Sequence, residues 1–97
     1  MPDAKDAPAG FEWDAEKAAS NLAKHGVGFH QAARVWDDPR HVVLPDEKHS
    51  SDELRFYAFG EVDGNVLTVR FTPRGDKARI IGAGQWRKGR TIYARPR

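Results

Sequence analysis

Two arginines lie inside strand-like apolar runs of the segment Val66–Ile81, which reads VLTVRFTPRGDKARII. Side chains alternate between the two faces of a β-strand, so Arg70 and Arg79 each point to one face only. A planar guanidinium can bind two phosphate oxygens at once, which makes arginine well suited to a phosphate-bearing partner. The pattern therefore predicts a sheet with one apolar face and one cationic face that binds phosphate.

Metal-independent cleavage of RNA is one reaction that such a face can support. A base takes the proton of the 2′-hydroxyl, cations stabilise the pentavalent phosphorane, and an acid protonates the leaving 5′-oxygen. His49 or Glu53 is the candidate base, and His49 or Tyr57 is the candidate acid. Ordinary alternatives stay open, since His49 can be a solvated loop residue and Tyr57 a plain strand aromatic. The predicted catalytic residues are His49, Tyr57, Arg70 and Arg79.

Further basic and aromatic residues are candidates for binding RNA. Trp86 stands among basic residues, where it is a candidate for stacking on a base, whereas Trp13 and Trp36 are expected in the core. The predicted RNA-binding residues are Arg55, Lys24, His25, Trp86, Arg87 and Lys88.

Composition limits the classes of protein to which the chain can belong. Its 97 residues suit one domain, and 31% charged with 39% apolar residues is the balance of a globular protein. The chain has no cysteine, no zinc-type spacing among its four histidines and no complete dinucleotide motif, so we expect no metal and no cofactor. It also has no long apolar run and no apolar leader, which favours a cytosolic protein without a membrane partner.

Charge is divided unequally between the two halves of the chain. Residues 1–53 carry 11 acidic and 6 basic side chains, whereas residues 54–97 carry 3 acidic and 10 basic side chains. A basic half of this kind attracts polyanions, although arginines that merely decorate exposed strands would produce the same count.

Two helices are predicted in the first half of the chain. Residues 1–10 are expected to be a disordered tail and residues 11–97 a single domain. Asp14 is a good N-cap for the helix AEKAASNLAKH, and Gly26 supplies its left-handed stop. Gly28 then caps a second helix, FHQAARVWDD, which Pro39 ends.

After Pro39 the hydrophobic period changes from helical to alternating. Four strands are predicted, at His41–Leu44, Leu54–Val62, Asn65–Pro73 and Lys77–Ala83. The segment GAGQWRKGRTIYARPR is ambiguous, because Gly84 and Gly89 argue against one continuous helix. The predicted fold class is α+β, with two N-terminal helices packed on a four-stranded antiparallel sheet.

The turns predict which side chains share a face. A two-residue turn at Asp63-Gly64 places Tyr57 opposite Arg70. A loop with an even number of residues before the fourth strand pairs Thr72 with Arg79 and keeps Arg79 beside Arg70, whereas an odd loop would bury its charge. We call the resulting surface the cationic face and its opposite the core face. The cationic face carries Arg55, Tyr57, Phe59, Thr68, Arg70, Thr72 and Arg79.

The chain resembles the BrnT family, the toxins of BrnT–BrnA toxin–antitoxin pairs, in the segments FEWDAEKAASNLAKHGVGFHQAARVWDDP and HSSDELRFYAFGEVDGNVLTVRFTPRGDKARII. The resemblance implies a RelE-like fold and a ribonuclease that inhibits translation by cutting RNA. It also implies a neutralising BrnA-type antitoxin with a DNA-binding domain, so that operator DNA is bound only through the antitoxin. The positions that match the family's motif are His49, Glu53, Arg55, Arg70, Arg79, Lys17, Lys24 and His25.

The chain departs from the family pattern at the end of the last strand. Family members continue this strand as Ile-Ile-Ser-Ala-Arg, whereas the chain has Gly82 and Gly84 in place of the serine and the arginine. Loss of that arginine removes a candidate phosphate ligand. A second hypothesis therefore stays open, a catalytically weakened module that binds RNA or the antitoxin. A DNA-binding regulator acting alone fits poorly, because no basic recognition helix is visible.

Overall fold

A computed structural model describes residues 7–96 of the chain, so residues 1–6 of the predicted tail and Arg97 lie outside the described residues. The helices and strands, in chain order, are β1 Gly10–Glu12, α1 Ala15–His25, α2 Phe29–Ala33, β2 Val42–Pro45, β3 Phe56–Val62, β4 Asn65–Arg74, β5 Lys77–Gly84 and α3 Arg87–Tyr93. One 3₁₀ turn, Arg34–Asp37, follows α2, and another, Glu47–His49, follows β2. None of the helices within residues 7–96 is long and apolar enough to cross a membrane.

All five strands form one sheet in the order β1-β5-β4-β3-β2. β1 runs parallel to β5, and the other neighbouring strands are antiparallel. The α+β class is confirmed. The prediction of two helices on a four-stranded antiparallel sheet was wrong in detail, since residues 7–96 form three helices and a five-stranded mixed sheet. Three residues of β1 are too few to show a period in sequence, and the glycine in α3 disfavoured a helix.

Helix α1 begins and ends at its predicted capping residues. The Asp14 carboxylate accepts hydrogen bonds from two backbone N–H groups of the first turn, at 2.8 and 3.2 Å, and Gly26 has the left-handed φ of 70°. Midway along α1, the buried side-chain amide of Asn21 donates to the backbone oxygen of Ala83 at 2.9 Å and accepts from its N–H at 3.2 Å. Because Ala83 lies beyond the stretch of β5 that pairs with β1, α1 covers the edge that β1 leaves open.

The second helix is shorter than predicted and continues as a 3₁₀ turn. The α-helical part ends at Ala33, and the chain tightens through Arg34–Asp37, where the N–H of Asp38 donates to the carbonyl of Val35. Pro39 disfavours helical backbone at Asp38, which adopts extended dihedrals and ends the turn.

A single apolar core fills the space between the core face of the sheet and the segment formed by α2 and its 3₁₀ turn. Trp36 packs edge-on against Phe71 at 4.9 Å between ring centroids, and Phe11 of β1 packs against the same indole at 5.3 Å. The largest fully buried side chains are Phe29, Leu67, Ile80, Val27, Val35 and Val69.

The strand register agrees with the prediction at both turns. Asp63 and Gly64 have φ of 51° and 84°, and their two-residue turn pairs Tyr57 with Arg70. The following turn is also two residues long and pairs Thr72 with Arg79. A register shift after Arg70 then adds one residue to β5, so that Gly84 stands opposite Thr68.

Helix α3 packs on the cationic face, which sequence reasoning had left uncovered. Gly89 allows this approach, since a Cβ atom at that position would clash with the Thr68 hydroxyl and lie 3.3 Å from the Phe59 ring. The glycine that argued against a helix is therefore the residue that lets the helix lie against the sheet. As a result, α3 covers the end of the cationic face near Phe59 and Thr68 and leaves the end near Arg55 open.

Substitution of Gly89 by alanine should destabilise the protein by up to about 2 kcal/mol, because the clash costs up to about 3 kcal/mol and the preference for alanine within a helix offsets only about 1 kcal/mol of it. The measurement is urea denaturation followed by circular dichroism. Gly10→Ala is the matched control, since its new Cβ would make only an ordinary contact at 3.8 Å with Lys77. Equal midpoints for the two variants would contradict the packing described for α3.

The C-terminal end of α3 is held by a carboxylate from the other side of the sheet. The Tyr93 hydroxyl donates to Asp38 Oδ2 at 2.5 Å, and the same oxygen accepts the N–H of Glu61 at 2.8 Å. Burial raises the pKa of the Asp38 carboxyl, but the hydrogen bonds from Glu61, Tyr93 and the N–H of Arg40 together bring it below its ordinary value. The ionised form of Asp38 therefore stabilises the folded chain.

Asp38→Ala should lower the free energy of unfolding at pH 7 by about 2 kcal/mol, the scale of hydrogen bonds to a charged group. Because the folded-state pKa of Asp38 lies below the unfolded value, its contribution is complete above about pH 4 and is lost as the pH falls through the folded-state pKa. Chemical denaturation at pH 7 and at pH 3 measures the difference in the free energy of unfolding between the wild-type protein and Asp38→Ala. This difference should be smaller at pH 3. Asp37→Ala is the control, because Asp37 is exposed and accepts no hydrogen bond from the described residues. A stability difference between the wild-type protein and Asp38→Ala that did not change with pH would contradict the role of Asp38.

Candidate active site on the cationic face

Asp46 lies just after β2 and directs its carboxylate to the cationic face. Leu44 stands opposite Tyr57, so the side chain two residues later points to the same side. The Asp46 N–H donates to the carbonyl of Arg55 at 2.8 Å, which extends the pairing beyond Pro45. Only 5% of Asp46 is exposed. Sequence reasoning missed Asp46 because it ended the strand at Leu44, and continuing the alternation for two residues would have found it.

The 3₁₀ turn after β2 brings His49 against this carboxylate. His49 Nδ1 lies 2.9 and 3.0 Å from the two oxygens of Asp46. Ser50 fixes the turn, since its hydroxyl donates to the Asp46 carbonyl at 2.6 Å and accepts the N–H of Arg55 at 3.0 Å. A carboxylate can only accept, so Nδ1 carries the proton and Nε2 of a neutral ring keeps a free lone pair. The His49 side chain is 50% exposed, so Nε2 is available to a substrate.

Tyr57 lies close enough to the same carboxylate for its charge to act on the phenol. Burial raises the pKa of the Tyr57 hydroxyl, and the charge of Asp46 and a hydrogen bond to it raise it further, whereas Arg70 acts in the opposite direction. The hydroxyl therefore keeps its proton at neutral pH and can donate it. The pairing of Tyr57 with Arg70 across β3 and β4 sets a cation beside this proton donor.

Arg70 is a partly buried cation without an ion-pair partner among residues 7–96. Its Nε atom is buried and forms no hydrogen bond within the described residues. A desolvated guanidinium that lacks a counter-ion binds an incoming anion strongly, because the interaction takes place away from bulk water. Of the predicted catalytic arginines, Arg70 is thus the one free to take a phosphate.

Arg55 and Glu53 lie next to His49 at the open end of the cationic face. Arg55 is 3.8 Å from Glu53, which also pairs with Arg74 at 3.2 Å, and the buried Nε of Arg55 has no hydrogen-bond partner in the described residues. His49, Glu53 and Arg55 line one shallow depression of about 180 Å³. The two candidate bases therefore share a depression, but Glu53 is already bound to cations.

Arg79 differs from Arg70 in that β1 supplies it with a carboxylate. The parallel pairing of β1 with β5 sets Glu12 beside Arg79, and the two side chains form an ion pair at 2.8 Å. Sequence reasoning did not include Glu12, since it left this segment outside the sheet. Arg79 lies on the predicted face but already has a partner.

The predicted RNA-binding residues outside the strands fall into two groups. The structure brings His25 and Trp86 together, with ring centroids 5.2 Å apart, and the indole lies over Gly84, where a Cβ atom would be 2.6 Å from it. Lys24 and Arg87, the sequence neighbours of these two residues, are exposed. Lys88 forms the second group, since it lies on α3 at the rim of a groove that Tyr57 also lines.

We call Asp46, His49, Tyr57 and Arg70 the Asp46 cluster. In this cluster His49 contacts the buried carboxylate through Nδ1, and the phenol of Tyr57 keeps its proton near the same carboxylate. The guanidinium beside Tyr57 has no ion-pair partner among residues 7–96. Within residues 7–96 no three acidic or histidine side chains come together as a metal site would require. The arrangement can therefore move protons at both ends of a bound phosphate group.

Comparison with known proteins bears on the class of chemistry. A search of curated proteins finds no match to the chain. The family model described as the ribonuclease toxin BrnT of type II toxin–antitoxin systems matches residues 13–89, which include the whole Asp46 cluster, and the suspected resemblance is confirmed. The chain belongs to the BrnT family of ribonuclease toxins, whose type II systems pair each toxin with an antitoxin.

Proposed function

We propose that the protein is an endoribonuclease that cleaves RNA without a metal ion, inhibits translation by doing so, and is neutralised by a BrnA-type antitoxin that alone contacts operator DNA. One observation carries the proposed chemistry. The buried carboxylate of Asp46 lies 2.9 Å from His49 Nδ1, and its charge reaches the Tyr57 hydroxyl. Tyr57 in turn pairs across the strands with Arg70, which has no ion-pair partner among residues 7–96. These side chains are our candidates for the base, the acid and the cation of the proposed reaction.

The proposed reaction begins at His49. Its Nε2 takes the proton of a ribose 2′-hydroxyl, the 2′-oxygen forms a bond to phosphorus, and the bond from phosphorus to the 5′-oxygen breaks. The Tyr57 hydroxyl gives its proton to that leaving oxygen. The products are a 2′,3′-cyclic phosphate and a 5′-hydroxyl, and solvent restores the protons of both side chains.

Arg70 has the electrostatic role in this proposal. The phosphorane gains negative charge on its equatorial oxygens, and a guanidinium already in place stabilises that charge without reorganisation. Arg55, at the open end of the face, is positioned to contact the neighbouring phosphate. Arg79 contributes mainly to the overall positive potential, because Glu12 occupies its guanidinium.

Incubation of the purified protein with RNA in a buffer containing a chelator tests the reaction. We expect cleavage fragments that end in a 2′,3′-cyclic phosphate and begin with a 5′-hydroxyl. Free RNA and messenger RNA on translating ribosomes are both supplied, so that a need for the ribosome does not hide the activity. Absence of cleavage from both substrates, or cleavage only after a divalent metal is added, would refute the proposal.

Expression in cells tests the biological part of the proposal. Induction of the chain should stop protein synthesis, measured by incorporation of a labelled amino acid, and co-expression of a BrnA-type antitoxin should restore it. An inactive His49→Ala variant at equal protein level is the control. Continued synthesis in cells that contain the folded wild-type protein would argue against a toxin.

A catalytically weakened binding module is the alternative function, and the position of Trp86 favours it. The indole fills the space above Gly84, where family members carry an arginine, so this side of the cationic face presents a ring and not a charge. The double variant Gly84→Arg/Trp86→Ala makes room for the arginine. A gain of RNA cleavage over Trp86→Ala alone would support the binding module, whereas no gain would leave Arg70 as the sufficient cation.

A further inference from the structure

An apolar groove of about 500 Å³ runs along the line where α3 meets the sheet on the cationic face. The rings of Tyr57 and Phe59, which both line the groove, stack at 5.9 Å between centroids and 25° between planes. Trp86 is the N-cap residue of α3 and is 38% exposed. The side chains that shape the groove are Leu44, Tyr57, Phe59, Trp86, Lys88 and Ile92.

We propose that this groove binds a nucleobase of the RNA substrate, that of the nucleotide on the 3′ side of the cleaved bond. The proposal rests on the proposed function for its orientation. It adds a binding site for a planar aromatic ligand, with Trp86 as the main stacking residue and Lys88 near the attached phosphate.

The shape and lining of the groove suit a base. Its volume lies in the range of about 300–1,000 Å³ that is typical of sites for small ligands. Unpaired bases of single-stranded RNA bind proteins mainly by stacking on aromatic rings, and every base has a face for such a contact. Trp86 provides an indole whose exposed part faces solvent, while its packing on His25 and over Gly84 limits its motion.

Charge favours RNA over an apolar protein segment as the occupant. Helix α3 carries Arg87, Lys88 and Arg90, and the sequence has no carboxylate after Asp76. A polyanion that enters the groove therefore meets basic side chains, and no acidic one, among the residues of α3 itself. Continuity with the Asp46 cluster points the same way, because Tyr57 lines the groove, pairs across the strands with Arg70 and lies within reach of the Asp46 charge.

The order of residues along the face sets the direction of the RNA. Tyr57 lies between the groove and Asp46, and His49 contacts Asp46 from the loop that follows β2. If Tyr57 protonates the leaving 5′-oxygen, the nucleotide that bears this oxygen is the one nearest the groove. That nucleotide lies 3′ of the cleaved bond, while the ribose attacked by His49 belongs to the nucleotide on the 5′ side.

Binding is tested first, with short RNA oligonucleotides made non-cleavable by 2′-deoxy substitution, each with one abasic position. Among these oligonucleotides, the one whose abasic position falls in the groove should bind the wild-type protein about tenfold more weakly than the intact oligonucleotide. The measurement is fluorescence anisotropy. Trp86→Ala should weaken binding of the intact oligonucleotide about tenfold and abolish the effect of that abasic position. Trp86→Phe should retain most of the affinity. Leu54→Ala is the matched control, since Leu54 is 66% exposed and does not line the groove.

Cleavable versions of the same oligonucleotides then test the direction, and an abasic nucleotide 3′ of the cut should slow cleavage more than one 5′ of it. Unchanged RNA affinity in a folded Trp86→Ala protein would overturn the proposal, and if the same variant instead lost antitoxin binding, the groove would belong to the protein partner. A larger effect of the 5′ base would overturn the orientation. Binding that depends on Trp86 without any cleavage would support the base site and refute the nuclease, so the two failures are distinguishable.

Discussion

Arg70→Ala should lower the rate of RNA cleavage about 10²–10³-fold, the scale expected when one preorganised donor to a developing negative charge is removed. Arg70 has this weight because its guanidinium is partly buried, has no ion-pair partner among residues 7–96 and lies beside Tyr57. The measurement is the single-turnover rate on the RNA that the wild-type protein cleaves. Arg70→Lys should recover only a small part of the cleavage rate that Arg70→Ala loses, since an ammonium cannot bind two phosphate oxygens in a fixed plane.

Arg79→Ala is the matched control for Arg70→Ala. Both arginines lie on the cationic face, but Arg79 is bound to Glu12 at 2.8 Å and is already neutralised. Its replacement should cost less than about tenfold in rate, through the loss of general positive potential. Equal losses for Arg70→Ala and Arg79→Ala would contradict the assignment of the phosphate to Arg70. Melting curves of both variants establish that the rates refer to folded protein.

His49→Ala should lower the cleavage rate about 10²–10⁴-fold, which is the usual contribution of a positioned general base. Asp46→Asn should cost about 10–100-fold, because the amide no longer holds the Nδ1–H tautomer of His49, although the side chain keeps its shape. In the proposed reaction Asp46 is therefore a positioning residue that does not touch the reacting atoms. The measurement is again the single-turnover rate, now as a function of pH.

Double variants separate the two contacts of Asp46. If Asp46 acts through His49, adding Asp46→Asn to His49→Ala should cause little further loss, whereas adding it to Tyr57→Phe should cause nearly its full loss. The reverse pattern would show that Asp46 acts through Tyr57. Asp52→Asn, in the same loop, is the control for the change of charge. The cleavage rate of Asp52→Asn should stay within about twofold of the wild-type rate. A loss as large as that of Asp46→Asn would mean that Asp46→Asn acts only by changing the charge of the loop.

The register of the central strands could be predicted because local chemistry determines it. Asp63-Gly64 favours the two-residue turn that the structure contains, and one pairing across it then assigns every side chain of β3 and β4 to a face. The cost of burying Arg79 excluded the odd loop before β5. These inferences need only the neighbouring residues, so a single sequence was enough to place Tyr57 opposite Arg70.

The contacts that decide the site could not be predicted, because they join segments distant in the chain. Glu12 reaches Arg79 only through a parallel pairing of β1 with β5, and a strand of three residues is too short to be recognised in the sequence. The approach of α3 depends on a gap above Thr68 that only the folded sheet reveals. Asp46 was within reach of sequence reasoning, but the proline before it concealed the end of the strand.

The way in which α1 meets β5 also bears on self-association of the sheet. Open strand edges recruit strands of other molecules, and proteins avoid this by blocking them. At the β5 side, β1 pairs with residues 77–79, and the Asn21 amide takes both backbone groups of Ala83 as a neighbouring strand would. At the other side, β2 is four residues long and contains Pro45, which has no N–H to offer. Edge-to-edge association of sheets from different molecules is thus hindered at both edges of the sheet. This holds even when a partner covers the arginines of the cationic face.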